Sequence, residues 1–316
     1  MTSRGSGRRA AAGSPGFLKQ AQPRHGERAI RVLLVAASLV SVLTTIGIVI
    51  ALLPPVAEFF GKVNFGDFIT GTDWAPLFQP PHFGVIPLVT ATLMVTFIAL
   101  FVAVPLGLGS AVYLSEYADR RVRGIFKPVL EVLAGIPTVV YGFFALKAIT
   151  PLLQEIWPGG RGPQVFNALS AGFVMGIMII PTIASLAEDS MNAVPRALRD
   201  GAYALGSSRM QVSTRVVFPA ALSGIVAAVV LGISRAIGET LIVAIAAGGR
   251  PNLSFNPLEG MQTMTAFIAA AGIGDLPTGS TGYQTIFAVG LLLFVITLVM
   301  NLISIRLVRR YREVYE

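Results

Sequence analysis

Six long apolar segments constrain the fold of this chain more than any other feature. They run approximately over Ala29–Leu53, Val85–Leu114, Val129–Ile149, Val165–Ala187, Leu222–Gly248 and Thr285–Leu307. Each is close to or above the ~20 residues that an α-helix needs to cross about 30 Å of hydrocarbon. Charged residues make up only 13% of the chain, whereas a soluble domain carries about 25%. We therefore expect an all-α polytopic membrane protein with about six transmembrane helices.

The basic residues indicate which connections stay in the cytoplasm. They cluster in the N-terminal segment, in the second-to-third and fourth-to-fifth connections, and after the last apolar segment. The other connections hold only Lys62, Lys147, Arg161 and Arg250. Because Lys and Arg are enriched in cytoplasmic loops, both termini are expected in the cytoplasm of a cell whose inner membrane the chain crosses an even number of times. The net charge of +8 then indicates topology and contact with anionic lipid, and not nucleic-acid binding.

The chain is expected to divide into a tail and a membrane domain. Residues 1–28 are rich in Arg, Gly, Ser, Ala and Pro without apolar periodicity, which predicts a disordered basic cytoplasmic tail. Residues 29–312 form the transmembrane domain, with a long cytoplasmic loop over 188–223. Trp74 and Trp157 lie in expected outer loops, where tryptophan usually anchors a protein at the membrane surface.

The composition argues against chemistry carried out by this chain. It has no cysteine, and its two histidines, His25 and His82, lie far apart, so we expect neither a disulfide nor a metal site. The phosphate-binding pattern Gly-x4-Gly-Lys-Ser/Thr does not occur. The apolar segments contain no Ser/His, paired Asp or metal-ligand constellation of the kind an intramembrane enzyme needs. We expect no catalytic residues and no cofactor.

Two ionisable residues lie deep in the fifth apolar segment. Arg235 follows its first residue by ~20 Å along a helix, and Glu239 comes one turn later on the same face. A charge at this depth costs about 2.5–3.5 kcal/mol on insertion scales, so such residues usually line a cavity or pathway. The planar guanidinium of Arg235 can donate two parallel hydrogen bonds to an oxyanion, and Glu239 would then help to hold or release it. A structural ion pair between helices is the alternative.

The cytoplasmic loop 188–223 carries a spaced pattern of small and acidic residues. Apolar and small positions predict a short amphipathic helix that ends at Gly206, and Pro219 can start the next helix. The pattern consists of Asp200, Gly201, Ala202, Gly206, Val216, Phe218 and Pro219. It resembles the EAA motif of ABC importer permeases, with Asp for Glu, Gly for Ala and Phe for Leu. In that family the loop is the coupling helix that docks on the ATPase subunit. An ordinary amphipathic connector is the alternative.

The stretch Arg235-Ala236-Ile237-Gly238-Glu239-Thr240 closely resembles the Arg-Ala-x-Gly-Glu-Thr signature of the phosphate-specific permeases PstC and PstA. The outer stretch 68–74 looks like the PstC type. This resemblance, over about residues 30–312, implies the type I ABC importer permease fold and a transport role for Arg235 and Glu239. It also implies three partners: an ATPase subunit dimer, a second, PstA-like permease and an extracytoplasmic phosphate-binding protein.

Two other functions remain open at this point. A permease for another oxyanion such as phosphonate, sulfate or molybdate would use the same residue types. A secondary transporter or channel working alone would need more ion-coupling groups, and only Arg235 and Glu239 lie deep in the sequence.

Overall fold

The computed structural model describes residues 25–159 and 162–310, so the expected basic tail lies outside them up to residue 24. The helices are α1 (His25–Lys62), α2 (Phe65–Thr70), α3 (Ile86–Val112), α4 (Arg120–Gly135), α5 (Thr138–Phe144), α6 (Thr150–Ile156), α7 (Ala168–Asn192), α8 (Arg196–Ala204), α9 (Arg209–Val212), α10 (Phe218–Ala220), α11 (Leu222–Ile237), α12 (Met264–Ile273) and α13 (Thr281–Arg310). π-Helical turns cover Tyr113–Tyr117, Ala145–Ile149, Ser213–Val217 and Val243–Ala247. Strands β1 (Trp74–Ala75) and β2 (His82–Phe83) form an antiparallel pair.

The described residues contain the expected set of membrane-crossing helices. Five segments are long and apolar enough to span: Ala29–Lys62, Ile86–Tyr117, Thr138–Ile156, Ala168–Asn192 and Thr281–Arg306. A sixth consists of Arg209–Ala220 and Leu222–Ile237, which meet at a bend of 72°. The prediction of an all-α membrane protein with about six spans is therefore confirmed.

The chain divides into two compact units, and the first ends at Ala51. Its described part is the first section of α1, in which every side chain from Ala29 to Ala51 is exposed except the half-buried Val49. Most of these side chains are apolar, and Arg31 is the only charged one among them. A helical surface of this kind is stable only in hydrocarbon or against another protein.

The second unit, from Leu52 onward, is built on the close packing of α3 against α7. A Cβ atom added to Gly172 would lie 2.7 Å from the Ile98 Cβ, and one added to Gly176 would lie 2.7 Å from the Ala99 carbonyl oxygen. The two glycines therefore let the helix backbones approach more closely than any side chain would allow. α11 packs against α7, α3 and α13 around this pair.

The third span is displaced from its predicted place. The expected helix over 129–149 is broken at Ile136 and Pro137, both in extended backbone conformations. Proline disfavours the helical conformation of the residue before it, so α4 ends at Gly135 and the span runs from Thr138 to Ile156. Lys147, expected near a helix end, consequently lies in the middle of this span, with its side chain exposed.

An aromatic cluster supports the hairpin of β1 and β2. Phe59 and Phe68 pack edge to face at 5.6 Å, and the Trp74 ring meets that of Phe267 on α12 at 4.9 Å. Trp74 is only 3% exposed, so it is part of the protein core. The expectation that Trp74 anchors the protein at the membrane surface is therefore wrong. α1 continues through Pro54 and Pro55 to Lys62, and the connection between the first and second spans begins only after that residue.

The close approach of α3 and α7 predicts that a larger side chain between the two helices lowers the stability of the fold. Gly176→Ala should destabilise the folded protein by about 1–3 kcal/mol, because the new methyl group meets a backbone oxygen that cannot move alone. The measurement is thermal unfolding of the purified protein in detergent. Gly109→Ala is the matched control, since a Cβ there meets nothing within 4 Å. Equal thermal stability of the two variants would contradict the packing described.

Candidate functional site

The fifth span in chain order, which contains α11, is interrupted near the two ionisable residues that lie deep in it. α11 ends at Ile237, and the Oε1 atom of Glu239 accepts the backbone N–H groups of Leu241 at 3.0 Å and Ile242 at 3.2 Å. Glu239 thus caps the helical segment that follows, which ends at Gly248 with φ of 102°. The expected continuous helix over 222–248 is absent, because the Glu239 side chain accepts backbone N–H groups that a continuous helix would direct to other carbonyls.

Arg235 lies in the last turn of α11 and is half-buried. One of its terminal nitrogens donates to the Thr182 hydroxyl on α7 at 3.0 Å. Thr182 follows Pro181 in the middle of α7. Sequence reasoning missed it, although a hydroxyl beside a mid-helix proline is a recognisable signal.

Arg235 and Glu239, which the sequence places one helical turn apart on the same face, do not form an ion pair with each other. Among the ion pairs that residues 25–159 and 162–310 make within 4.0 Å, none joins these two side chains. Both residues lie at the end of α11, but Arg235 faces α7 while the Glu239 carboxylate faces its own backbone. The guanidinium is therefore available to a ligand without first leaving a carboxylate.

After the loop over 249–262, the chain returns to the interruption that follows α11. The Met261 N–H donates to the Ala247 carbonyl at 2.8 Å, and the Thr265 hydroxyl donates to the Glu239 carbonyl at 2.7 Å. Thr263 caps α12 at this level, and the Met264 N–H reaches the Thr92 hydroxyl on α3 at 3.0 Å. Side-chain hydroxyls thus satisfy backbone groups freed by the interruption, which is how irregular backbone persists inside a membrane protein.

A cavity of about 300 Å³ lies between α4 and α7, along the part of α7 that follows Pro181. Thr182, Ser185 and Glu188 line one wall at intervals of one helical turn, and Lys127 and Glu131 line the other. Most of the cavity surface is nevertheless apolar. The Thr182 hydroxyl, which accepts a hydrogen bond from Arg235, therefore lies at the wall of a cavity with a row of polar side chains on α7.

The loop over 188–223 contains the expected short helix, α8. Gly206 has φ of 80°, the left-handed conformation predicted for the helix end, and Pro219 lies in the first turn of α10. The residues Asp200, Gly201, Gly206 and Pro219 are exposed, and Ala202 is half-buried. Leu205 is 89% exposed at the end of the helix. Leu198, Tyr203 and Met210 of the same loop are exposed as well, and a patch of exposed apolar side chains is typical of a docking surface.

The sequence profile of the family described as "Binding-protein-dependent transport system inner membrane component" matches residues 103–313. This range includes α7, the loop with α8, and both Arg235 and Glu239. The chain belongs to this family. It is thus a multi-pass membrane protein of the family's transport systems, as the sequence predicted.

Curated relatives cover most of the chain. The probable ABC transporter permease protein YqgH of Bacillus subtilis is 34% identical over 88% of this chain and 88% of its own length. The phosphate transport system permease protein PstC of Pasteurella multocida is 34% identical over 81% of this chain and 83% of its own. The phosphate transport system permease protein PstC 1 of Mycobacterium tuberculosis is 35% identical over 79% of this chain and 83% of its own length.

Solved structures show the same fold at low sequence identity. A bacterial ABC transporter involved in the import of alginate matches with a TM-score of 0.62, 16% identity and coverage of 92% of this chain and 100% of the other. The MetNI methionine ABC transporter in an inward-facing conformation matches with a TM-score of 0.52, 19% identity and coverage of 73% and 95%. The fold is therefore that of ABC importer permeases, as predicted.

Glu259 organises the loop over 249–262, which leads back to the interruption after α11. Its carboxylate accepts hydrogen bonds from Asn252 at 3.0 Å and Asn256 at 3.1 Å, and its carbonyl accepts from the N–H of Ala168 at 3.1 Å. Hydrogen bonding, first from Ser254 and then from the two asparagines, holds the pKa of Glu259 below its ordinary value. The charged carboxylate therefore stabilises the loop against the first turn of α7.

This lowered pKa predicts an acid-sensitive loop. Because the folded-state pKa lies below the ordinary value of about 4.3, the stabilisation is present above that value and is lost as pH falls through the folded-state pKa. Hydrogen exchange of peptides over 249–262, corrected for intrinsic pH dependence, should show this loss. Glu259→Gln should exchange faster at neutral pH and show no further acid step. An acid step of unchanged size in Glu259→Gln would assign the transition to another group.

Proposed function

We propose that this chain is a permease subunit of an ATP-driven importer of inorganic phosphate and forms half of the translocation path. The observation that carries the proposal is the guanidinium of Arg235, half-buried at the break in the fifth span and free of an acidic partner within the described residues. The names of the relatives in Pasteurella multocida and Mycobacterium tuberculosis support phosphate as the transported anion.

The chemistry of the site suits a transient oxyanion contact. The Arg235 guanidinium holds the Thr182 hydroxyl with one nitrogen and keeps further donors for a phosphate oxygen. Inside a membrane protein this attraction is stronger than in water, so a cation without a nearby negative charge would retain the anion. Glu239, four residues away and fixed by its own backbone contacts, supplies the negative charge that favours release.

The partners follow from the same architecture. α8 docks on one subunit of an ATPase dimer, a second, PstA-like permease completes the path, and an extracytoplasmic phosphate-binding protein delivers the anion to the outer side. In this proposal both termini and α8 lie in the cytoplasm, and the distribution of basic residues supports that orientation. A structure related in fold was obtained with a periplasmic protein bound to an alginate pentasaccharide, which supports an assembly of this kind.

Removal of the deep cation tests the transport role. Arg235→Gln should lower uptake of radiolabelled phosphate by about 10- to 100-fold, because a charged hydrogen bond to the moving anion is lost. Arg235→Lys should be intermediate, since it keeps the charge without the fork. Arg250→Gln, which removes an exposed outer cation, is the matched control. Unlabelled phosphonate, sulfate and molybdate serve as competitors.

Three results would count against the proposal. Full uptake by Arg235→Gln would exclude the role of the guanidinium. Competition by sulfate or molybdate, stronger than by phosphate itself, would assign a different oxyanion. A loss of assembled subunits in Arg235→Gln would mean that Arg235 holds the fold and not the anion.

The exposed end of α8 gives a second test. Leu205→Asp should reduce the ATPase subunit that co-purifies in detergent by about tenfold or more, because one desolvated charge at the centre of an interface costs several kcal/mol. Phe255→Asp, at an outer position that is 81% exposed, should leave the amount of ATPase unchanged. Normal co-purification with Leu205→Asp would show that another surface docks the ATPase.

A further inference from the structure

Arg199 lies on α8 but points away from its exposed surface. Its guanidinium donates to the carbonyl oxygens of Val194 at 2.6 Å and Met191 at 2.7 Å, and to the Glu116 carboxylate at 3.1 Å. The Arg199 side chain is only 16% exposed and that of Glu116 only 5%. By contrast, the neighbouring Arg196 is exposed. Arg199 thus joins α8 to the ends of two membrane helices.

An enclosed ion pair of this kind is a costly way to hold a helix in place. Taking both charges out of water offsets much of their attraction, so an apolar pair of similar size often stabilises a fold equally well. The guanidinium instead satisfies two helix-end carbonyls and one carboxylate in a fixed fork geometry. What the fork provides beyond stability is a rigid connection with a defined direction.

The connection continues from Glu116 into the cytoplasmic ends of α3, α4 and α7. The hydroxyl of Ser115, the neighbour of Glu116, donates to Asn192 at 3.3 Å, and Asn192 donates to the buried Glu188 at 3.3 Å. Arg123 of α4 pairs with Glu188 at 3.7 Å. Lys127 of α4 lies 3.9 Å from the same carboxylate.

This series of contacts ends at the cavity between α4 and α7. Lys127 and Glu188 both line it, together with Thr182, which holds the guanidinium of Arg235. Arg123 also donates to the Leu114 carbonyl at 3.1 Å, so α4 is fixed to α3 as well as to α7. A continuous series of polar contacts therefore runs from α8 to Lys127 and Glu188 at the wall of this cavity.

We infer that Arg199 is a positioning residue that makes α8 and the cytoplasmic ends of α3 and α7 move as one body. Through Glu116 and Glu188, movement of the docked ATPase then reaches α4 and the cavity that it forms with α7. The inference rests on the proposed docking role of α8. It assigns Arg199 to the transmission of movement, with no contact to ATP or to the anion.

A double-mutant cycle tests the inference in the assembled transporter. Arg199→Gln and Glu116→Gln remove the charge from either partner with little change in shape, and the second lies outside the docking loop. In proteoliposomes each should keep ATP hydrolysis and the bound ATPase but lower phosphate imported per ATP hydrolysed by about tenfold or more. The double variant should be no worse than either single variant, because all three break the same link. Arg121→Gln, an exposed cation of α4, is the control.

The results that overturn the inference are distinct from a failure of the proposed function. An import ratio within twofold of the unchanged protein, or independent effects that multiply in the double variant, would remove the role of Arg199. Loss of the bound ATPase from both single variants would make the pair part of the docking surface.

A second measurement does not depend on which anion is transported. Since the chain contains no cysteine, Arg196→Cys and Gly124→Cys can carry spin labels on α8 and α4 alone. The distribution of label distances should be narrow when Arg199 is present and become broad with Arg199→Gln. If the distribution keeps its width, the inference is wrong even where transport is altered. If it broadens while phosphate is not imported, the mechanical link stands and only the substrate assignment fails.

Discussion

In a hydrocarbon environment every backbone N–H and C=O group needs a partner, and this requirement determines how the fifth span can be interrupted. A break in mid-helix frees several such groups, each at a cost of several kcal/mol when unpaired. Here the Glu239 carboxylate takes two N–H groups, and the Thr265 hydroxyl takes the Glu239 carbonyl. The acidic residue and the segment that carries Thr265 are therefore part of what makes the interruption after α11 possible.

The interruption in turn explains the position of the deep arginine. At the end of a helix, Arg235 can extend past the last turn, and Thr182 on the neighbouring α7 fixes its direction. A continuous helix would instead have placed a carboxylate one turn away, where it would neutralise the guanidinium. The same break thus separates two opposite charges that the sequence brings within four residues.

Much of this architecture could be predicted from sequence because it depends on the composition of long segments and on the spacing of residues within them. The number of spans, their type, the short helix α8 and its glycine end all follow from apolar length and local spacing. The shifted third span and the broken fifth span could not be located, because both apolar segments continue through the break. Whether Gly238 and Glu239 end a helix depends on a partner such as Thr265, which is distant in sequence. The Thr182 contact and the link from Arg199 to Glu116 are tertiary pairings of the same kind.

The glycine contact between α3 and α7 has a mechanical consequence. Two backbones in van der Waals contact cannot slide or separate without opening a void, and protein interiors resist such deformation. The pair therefore behaves as one rigid body. Because polar contacts attach α8 and α4 to its ends, these two helices would follow any movement of the pair.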